Sequence, residues 1–410
     1  MYLHFNAISE PGLPGKKWQK FYNTHCKSYR AWLNKKGNVY EADLETSQAA
    51  LREYMPEMWP TYQRLCELAK ADHVMAKFLT GFQPPAYISA CSNAVLTGDE
   101  IQLVRNYDYH PDLTEGTQLY SAWNGKKVIA TTDCLIGVLD GMNQDGLAVS
   151  LTFGGRKNVG KGFGIPFILR YVLEFCSNIE EAVAALVRIP THMSYNITVV
   201  DKTGKFKTVQ VAPDKEAVVT DVPFATNHQG KVEWSENASF DNTVERSEFI
   251  ENLLAKKGID AKTVANSFLQ KPLYNTSFNV GFGTLFTAVY RPKEGVVEMC
   301  WPNYKISQTF DGFHEQYKLI IYKQPIGGAQ INIAKKAKTR FQRIVKPEAV
   351  DNRSEIGSKW HKTPTTKSSV NNKEQEYRRR KLFNIGKITR KNLVNFWSKP
   401  RTGKRTSSDD

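Results

Sequence analysis

Between residues 91 and 153 the chain is a succession of short β-prone runs, "CSNAVL", "IQLVRN", "KKVIATT" and "LAVSLTF", divided by turns of Gly, Asp and Asn. Residues 165–188, "IPFILRYVLEFCSNIEEAVAALVR", return to helical spacing, with Ser177 or Asn178 as a cap ahead of Glu180 and Glu181. "YNITVVDKTGKFKTVQV" then predicts a hairpin around Asp201 to Gly204, and "TLFTAVYRPKEGVVEMCW" another around Pro292 to Gly295. Strand pairs, then helices, then strand pairs predict sheets packed in layers with helices outside. The order argues against a doubly wound nucleotide fold, whose strands and helices alternate one by one.

Ahead of this block, residues 16–77 carry apolar groups at three- and four-residue intervals, in "KKWQKFYNTHCKSYRAWL" and again in "LREYMPEMWPTYQRLCELAKADHVMAKFL" (51–79), and predict mainly helix. Beyond residue 330 the pattern weakens. Residues 331–410 hold 22 Lys/Arg against 7 Asp/Glu, which accounts for the whole net charge of +15, and the first 330 residues are balanced at 34 of each. This basic tail predicts disorder, except for a short helix around 371–382, and an attraction to nucleic acid or anionic membrane through residues 331–410. "KLFNIGKITRKNLVNFW" at 381–397 has the pattern of an amphipathic surface helix. The first residues lack the basic and apolar regions of a secretory signal, and no apolar run approaches the roughly 20 residues of a membrane span, so a soluble, cytoplasmic protein is expected. Six cysteines with no C-x-x-C pair imply neither a disulfide framework nor a zinc site, and no metal constellation is present in the sequence. "GKGFG" at 160–164 lacks the pattern of a phosphate-cradling loop and is better taken as turn glycines before a helix.

The segment "PPAYISACSNAVLTG" (84–98) places Cys91 at the start of an extended run that turns at "TGDE" and comes back through "RNYDY". A three-residue loop would pair Leu96 with Glu100 and set Cys91 opposite Arg105; a four-residue loop would set it opposite Asn106. Either register returns polar side chains beside the thiol, with Asp108 just beyond. Five features recur in order: Cys91 after a small residue, "RNYDY" (105–109), "GVLDGMNQDGLAVSLTF" (137–153), "ATNH" (225–228) and Arg246 after a Ser-containing segment. "GTLFTAVYRPKEGVVEMCWPN" closes the series, and the set covers roughly residues 84–325.

In these motifs the chain resembles the N-terminal-nucleophile hydrolases that include the acyl-coenzyme A:6-aminopenicillanic-acid acyltransferase, penicillin V acylase and choloylglycine hydrolase. The resemblance implies an α+β, four-layer αββα sandwich made as a precursor that cleaves itself between Ala90 and Cys91. Residues 1–90 would then be a helical propeptide or small subunit, associated with a catalytic domain of residues 91–330. The reaction implied is hydrolysis of a linear non-peptide amide, a small-molecule acyl amide, or transfer of its acyl group, through a thioester at Cys91. No cofactor is implied, and coenzyme A enters only as a thioester co-substrate. Cys91 would be the nucleophile and its α-amine the base, because such an amine titrates at about 7.7–8.0 and needs no histidine partner. His110 and His228 fit turns. Arg105 and Asp108 would hold substrate and amine, Asn227 would face the oxyanion, and Arg246 would fix the network. Asn143 is a secondary candidate, since "DGMNQDG" is equally a simple turn. Thr152 stands where bile salt hydrolases have an asparagine, and Ser92 where many relatives have threonine.

Overall fold

The computed structural model describes residues 1–35, 42–278, 282–323 and 330–333. The chain opens with strand β1 (Tyr2–Glu10), followed by helices α1 (Lys16–Leu33), α2 (Leu44–Tyr54), α3 (Trp59–Ala69) and α4 (His73–Leu79). Strands β2 (Ala90–Leu96), β3 (Gln102–Tyr109), β4 (Thr117–Ser121), β5 (Val128–Asp133), β6 (Gly137–Asn143) and β7 (Ala148–Phe153) come next. Helices α5 (Ile165–Phe175) and α6 (Ile179–Arg188) precede β8 (Tyr195–Val200), β9 (Phe206–Ala212), β10 (Lys215–Thr220) and β11 (Phe224–Ala225). Helices α7 (Ser235–Asp241), α8 (Thr243–Leu254) and α9 (Ala261–Ser267) lead into β12 (Gly283–Arg291), β13 (Val296–Trp301), β14 (Tyr304–Thr309), β15 (Gln316–Lys323) and β16 (Gln330–Ile333).

Among the described residues these strands form a ten-stranded sheet, in the order β10-β9-β8-β7-β6-β5-β4-β1-β15-β16, and a six-stranded sheet, β11-β2-β3-β12-β13-β14. The two sheets face each other and helices cover the outer faces, giving the αββα sandwich. On the large sheet α5 lies so close to β6 that a Cβ at Gly137 would stand 2.4 Å from Pro166 Cβ. Under the small sheet, α8 and α9 bring Ile250 and Val264, with Phe268 and Leu273, against Ala94, Val104 and Val289. Among the described residues, four α-helices start on a side-chain cap: Asp43, Asp72, Asn178 and Asp260 each accept the backbone N–H three residues on. Gly164 immediately precedes α5, which continues through Pro166, so part of the 160–164 glycine run serves that helix start.

The 51–79 stretch is mainly helical as expected, in segments that break at Met55 and again after Ala69, with Pro56 and Pro60 each opening a new helical segment. Tyr2–Glu10 form a strand that the sequence pattern did not lead us to expect. Buried Leu3, Phe5 and Ala7 alternate with more exposed neighbours in β1. β1 is paired on both sides, antiparallel to β15 and parallel to β4, inside the large sheet. One expectation is corrected: the β2–β3 register, which bears on the site and is taken up there. Apart from residues 331–333, which belong to β16, the basic tail and its expected helices lie outside the described residues. No helix among the described residues is long and apolar enough to cross a membrane.

Candidate active site

Side chains alternate along β2 and β3, so the pair presents two polar rows. Cys91, Asn93, Arg105 and Tyr107 point between the sheets, and Asn106 and Asp108 point toward α8 and α9. The inward row touches the large sheet directly, since Asn93 Nδ2 donates to Ser150 Oγ on β7 at 2.7 Å and Asn93 Oδ1 accepts from Thr198 on β8 at 3.1 Å. Arg105 is fully buried there. Its Nε donates to Leu151 O at 3.1 Å, its Nη1 to Asp140 on β6, and its Nη2 to Cys91 Sγ at 2.9 Å. Asp140 is held in turn by the hydroxyls of Thr131, at 2.7 Å, and Tyr290. Burial pushes the Cys91 thiol up from its ordinary pKa, and the Arg105 charge works against that rise. Ser89 Oγ is 3.9 Å from the sulfur.

The backbone of Cys91 is gripped from the other side. Its N–H donates to Asn227 Oδ1 at 3.0 Å, and its carbonyl accepts from Arg246 Nη1 at 2.7 Å. Arg246 Nη2 donates to the same Asn227 oxygen at 2.8 Å, so one guanidinium ties the cysteine to the asparagine. Asp108 lies opposite Ala90 in the β2–β3 register, accepts from Thr284 Oγ1 at 2.6 Å and faces Arg246 at 3.7 Å. Burial raises the Asp108 pKa, and Arg246 and Thr284 offset it. Asp241 completes the far side of Arg246, accepting from Nε through its backbone carbonyl at 2.8 Å. The arrangement is a thiol beside a fixed cation, with both backbone groups of the same residue held by side chains.

A family model described as acyl-coenzyme A:6-aminopenicillanic acid acyl-transferase matches residues 95–305, from just past Cys91 to β14. The chain belongs to this acyl-transferase family. It is thus an enzyme of the N-terminal-nucleophile hydrolase type, a hydrolase or acyltransferase acting on C–N amide bonds. No curated protein matches it. Solved structures similar to it include a mutant of conjugated bile acid hydrolase from Clostridium perfringens, at 14% identity and TM-score 0.38, covering 61% of this chain and 98% of that one. A Caenorhabditis elegans ortholog of N-acylethanolamine-hydrolyzing acid amidase is similar at 20% identity and TM-score 0.37, covering 55% and 96%. Penicillin V acylase from Agrobacterium tumefaciens follows at 13% identity and TM-score 0.31, covering 53% and 84%. At these scores the family model alone carries the assignment.

Within this acyl-transferase family member the sequence-predicted residues divide. Cys91, Arg105, Asp108, Asn227 and Arg246 gather at one place; Asn143 does not. Its Nδ2 donates to Leu173 O and Cys176 O, and its Oδ1 accepts from Asp145 N and Leu147 N, so it ties the β6–β7 turn to the end of α5. Neither expected register holds, because the loop is five residues, 97–101: Leu96 pairs with Gln102, Cys91 with Tyr107 and Asn93 with Arg105. The three-residue alternative had the correct face, displaced by two, and Arg105 reaches the sulfur diagonally. The four-residue alternative would have turned every side chain over.

Sequence reasoning also passed over Asp140, an acid inside the apolar run "GVLDGM" whose partner is 35 residues away in the chain. Asn196 escaped it too. That residue sits opposite Thr152 and donates to Thr226 O and His228 O at 3.0 and 3.1 Å, clamping the segment that carries Asn227. Among the described residues no group of three His, Cys, Asp or Glu side chains is placed to hold a metal ion.

Proposed function

We propose that this chain is a self-processing cysteine amidohydrolase or acyltransferase that works on a linear non-peptide amide through a thioester at Cys91. The observation that supports it best is the threefold grip on one residue: Arg105 on the sulfur, Asn227 on the N–H and Arg246 on the carbonyl. A merely structural cysteine has no need of a buried guanidinium at 2.9 Å from its sulfur.

In self-cleavage Sγ attacks the Ala90 carbonyl carbon. The Ala90–Cys91 C–N bond breaks, the Cys91 nitrogen leaves with a proton, and the acyl part is held as a thioester. Water then releases the Ala90 carboxylate and restores the thiol. The new α-amine titrates near neutrality and accepts the thiol proton in the second reaction. Attack on a substrate amide gives a tetrahedral oxyanion, and the Asn227 amide is the donor we assign to it. Its Nδ2 is held among the described residues only by a long 3.4 Å hydrogen bond to Phe153 O, which leaves it able to turn to the oxyanion. The leaving amine takes the proton back, and water or a second amine removes the acyl group from sulfur.

β1 supports the further reading that residues 1–90 stay after the cut. It is hydrogen-bonded to β4 on one side and β15 on the other, so release of the N-terminal part would unzip the interior of the ten-stranded sheet. Denaturing intact-mass measurement of purified protein is expected to show two chains, 1–90 and 91–410, that run as one species under native conditions. Incubation with a panel of acyl amides is expected to add the acyl mass to the chain beginning at Cys91. A full-length single chain that turns over amides, or activity retained in Cys91→Ala, would overturn the mechanism.

A further inference from the structure

A cavity of about 170 Å³ lies between α1, the segment before Cys91 and the loops after β3 and β5. Three of its walls are aromatic rings set nearly at right angles. Tyr29 and Trp32 meet at 6.3 Å and 71°, Trp32 and Tyr87 at 6.3 Å and 81°. Tyr109 also lines it, and its ring lies 5.8 Å from that of Tyr107, the residue paired with Cys91. The cavity and the nucleophile therefore lie along one row of β3: Arg105, Tyr107, Tyr109.

Glu115 and Asp133 line the same cavity. The Tyr29 hydroxyl sits 2.7 Å from Glu115 Oε1 and 2.8 Å from Asp133 Oδ1, while its oxygen accepts the Cys134 N–H at 2.7 Å. One phenol proton thus serves two carboxylates. Glu115 is 4% exposed, and its Oε1 also accepts the Leu135 N–H at 2.6 Å; its Oε2 has no hydrogen bond of ordinary geometry among the described residues, and the nearby Thr132 hydroxyl offsets only part of the rise that burial causes in its pKa. Asp112, largely exposed, adds a third carboxylate to the lining. The basic side chain in that lining is His25, which burial holds neutral at a pKa of about 4.

Ring faces carry negative charge, and an ammonium over them is attracted most where water is excluded. Rings at right angles beside buried carboxylates form a site for a cation, whereas an anionic group there would meet carboxylates whose nearby arginines, Arg170 for Glu115 and Arg105 for Asp133, are already paired with Glu174 and Asp140. Resting on the reading of Cys91 as nucleophile, we propose that this cavity takes a protonated amine of the substrate, so that the enzyme prefers amides that bear a free ammonium group. The N-terminal segment, which supplies Tyr29, Trp32 and Tyr87, would then determine specificity as well as precede the cut.

The test uses the full-length Cys91→Ala chain, which neither processes nor turns over, titrated calorimetrically near pH 7.5 with 2-phenylethylammonium and with its neutral counterpart 2-phenylethanol. The ammonium is expected to bind at least tenfold more tightly, with Glu115→Gln bringing the two within about twofold. If Glu115→Gln does not fold, Asp112→Asn at the exposed position is expected to reduce the ratio two- to threefold. Equal or tighter binding of the alcohol, no binding of either, or a ratio unmoved in a folded variant overturns the proposal. Wild-type turnover of paired amides, one with a terminal ammonium and one with that amine acetylated, separates the two claims. Ammonium binding without turnover of any amide would leave the site standing and sink the nucleophile reading. Turnover with no preference and no ammonium binding would do the reverse.

Discussion

Arg105 and Arg170 are both fully buried, and each donates to a carboxylate, a backbone carbonyl and one further side chain. Each also lies 4.8 Å from the centre of an aromatic ring, Tyr107 for Arg105 and Trp123 for Arg170. They differ in the last donor. Arg170 Nη2 has no hydrogen-bond partner among the described residues, whereas Arg105 Nη2 reaches the Cys91 sulfur. The direction of the pKa shift follows the same division, while both guanidinium groups stay charged. Burial pushes the Arg170 pKa down, with Glu174 offsetting only part of the fall. Burial acts on Arg105 too, but Cys91 and Asp140, with Tyr107, outweigh it and raise its pKa. A buried arginine–carboxylate pair is therefore no mark of function in itself; the mark is a donor left for a group with no structural need of it.

The largest expected effect would break this comparison on one side. Arg105→Met is expected to abolish self-cleavage and lower turnover by about 1,000-fold or more, because the thiol loses its adjacent cation. Arg170→Met is expected to leave both within a few-fold. The check is intact mass for cleavage together with steady-state amide turnover on each folded variant. Equal losses of activity would mean that Arg105 acts only through stability.

Stability should not distinguish the pair. Either single Met variant strands a buried carboxylate and is expected to lose about 3–5 kcal/mol in urea denaturation. Removing the second charge should restore most of it: Arg170→Met with Glu174→Leu is expected to recover about 2 kcal/mol or more. Failure to recover would show that the Arg170 hydrogen bonds to Ile136 O and Ser121 Oγ, rather than charge pairing, hold that region.

A third buried centre sharpens the contrast because its carboxylates meet a phenol instead of a guanidinium. Burial, with Glu115 adding to it, raises the Asp133 pKa to about 7. The folded protein then holds a proton that the unfolded chain has already lost above about pH 4, so stability falls as pH rises from about 4 to 7 and levels off above. Between pH 5 and 8 wild type is expected to lose more stability than Asp133→Asn, by at least the roughly 1.4 kcal/mol of one pKa unit. Parallel pH profiles for the two proteins would reject this assignment.

These centres also show what a sequence reveals and what it withholds. Helix α1 is legible from end to end because its apolar spacing runs unbroken from Lys16 to Leu33, and the β8–β9 and β12–β13 hairpins announce their own turns. The layered sandwich follows from the order of such elements, and the family motifs single out Cys91, Arg105, Asp108, Asn227 and Arg246. The register of β2 on β3 was out of reach, since a five-residue loop and a three-residue loop keep the same faces inward and differ only in which pairs meet. The Arg105–Asp140 contact joins two sheets, and local pattern carries no trace of it. β1 was not anticipated although Leu3, Phe5 and Ala7 alternate, and its place beside β4 and β15 depends on residues more than a hundred positions away.

The smallest expected effect falls where sequence and structure agree most directly. Asn178 caps α6: its Oδ1 accepts the Glu181 N–H at 2.9 Å, and the Glu181 carboxylate reaches back to accept from Asn178 Nδ2 at 2.8 Å and from the Ser177 N–H at 2.7 Å. The exchange satisfies donors that the helix start would otherwise leave to water. Asn178→Ala is expected to cost about 1 kcal/mol in urea denaturation, and Asn178→Ser, which keeps a capping oxygen, to keep most of the stability. Because α6 packs on β9 and β10, toward the edge of the large sheet opposite β1, neither variant should alter self-cleavage or turnover. A change in cleavage with stability intact would mean that the edge of the large sheet communicates with Cys91, and the separation between structural and reactive centres drawn from the two arginines would have to be abandoned.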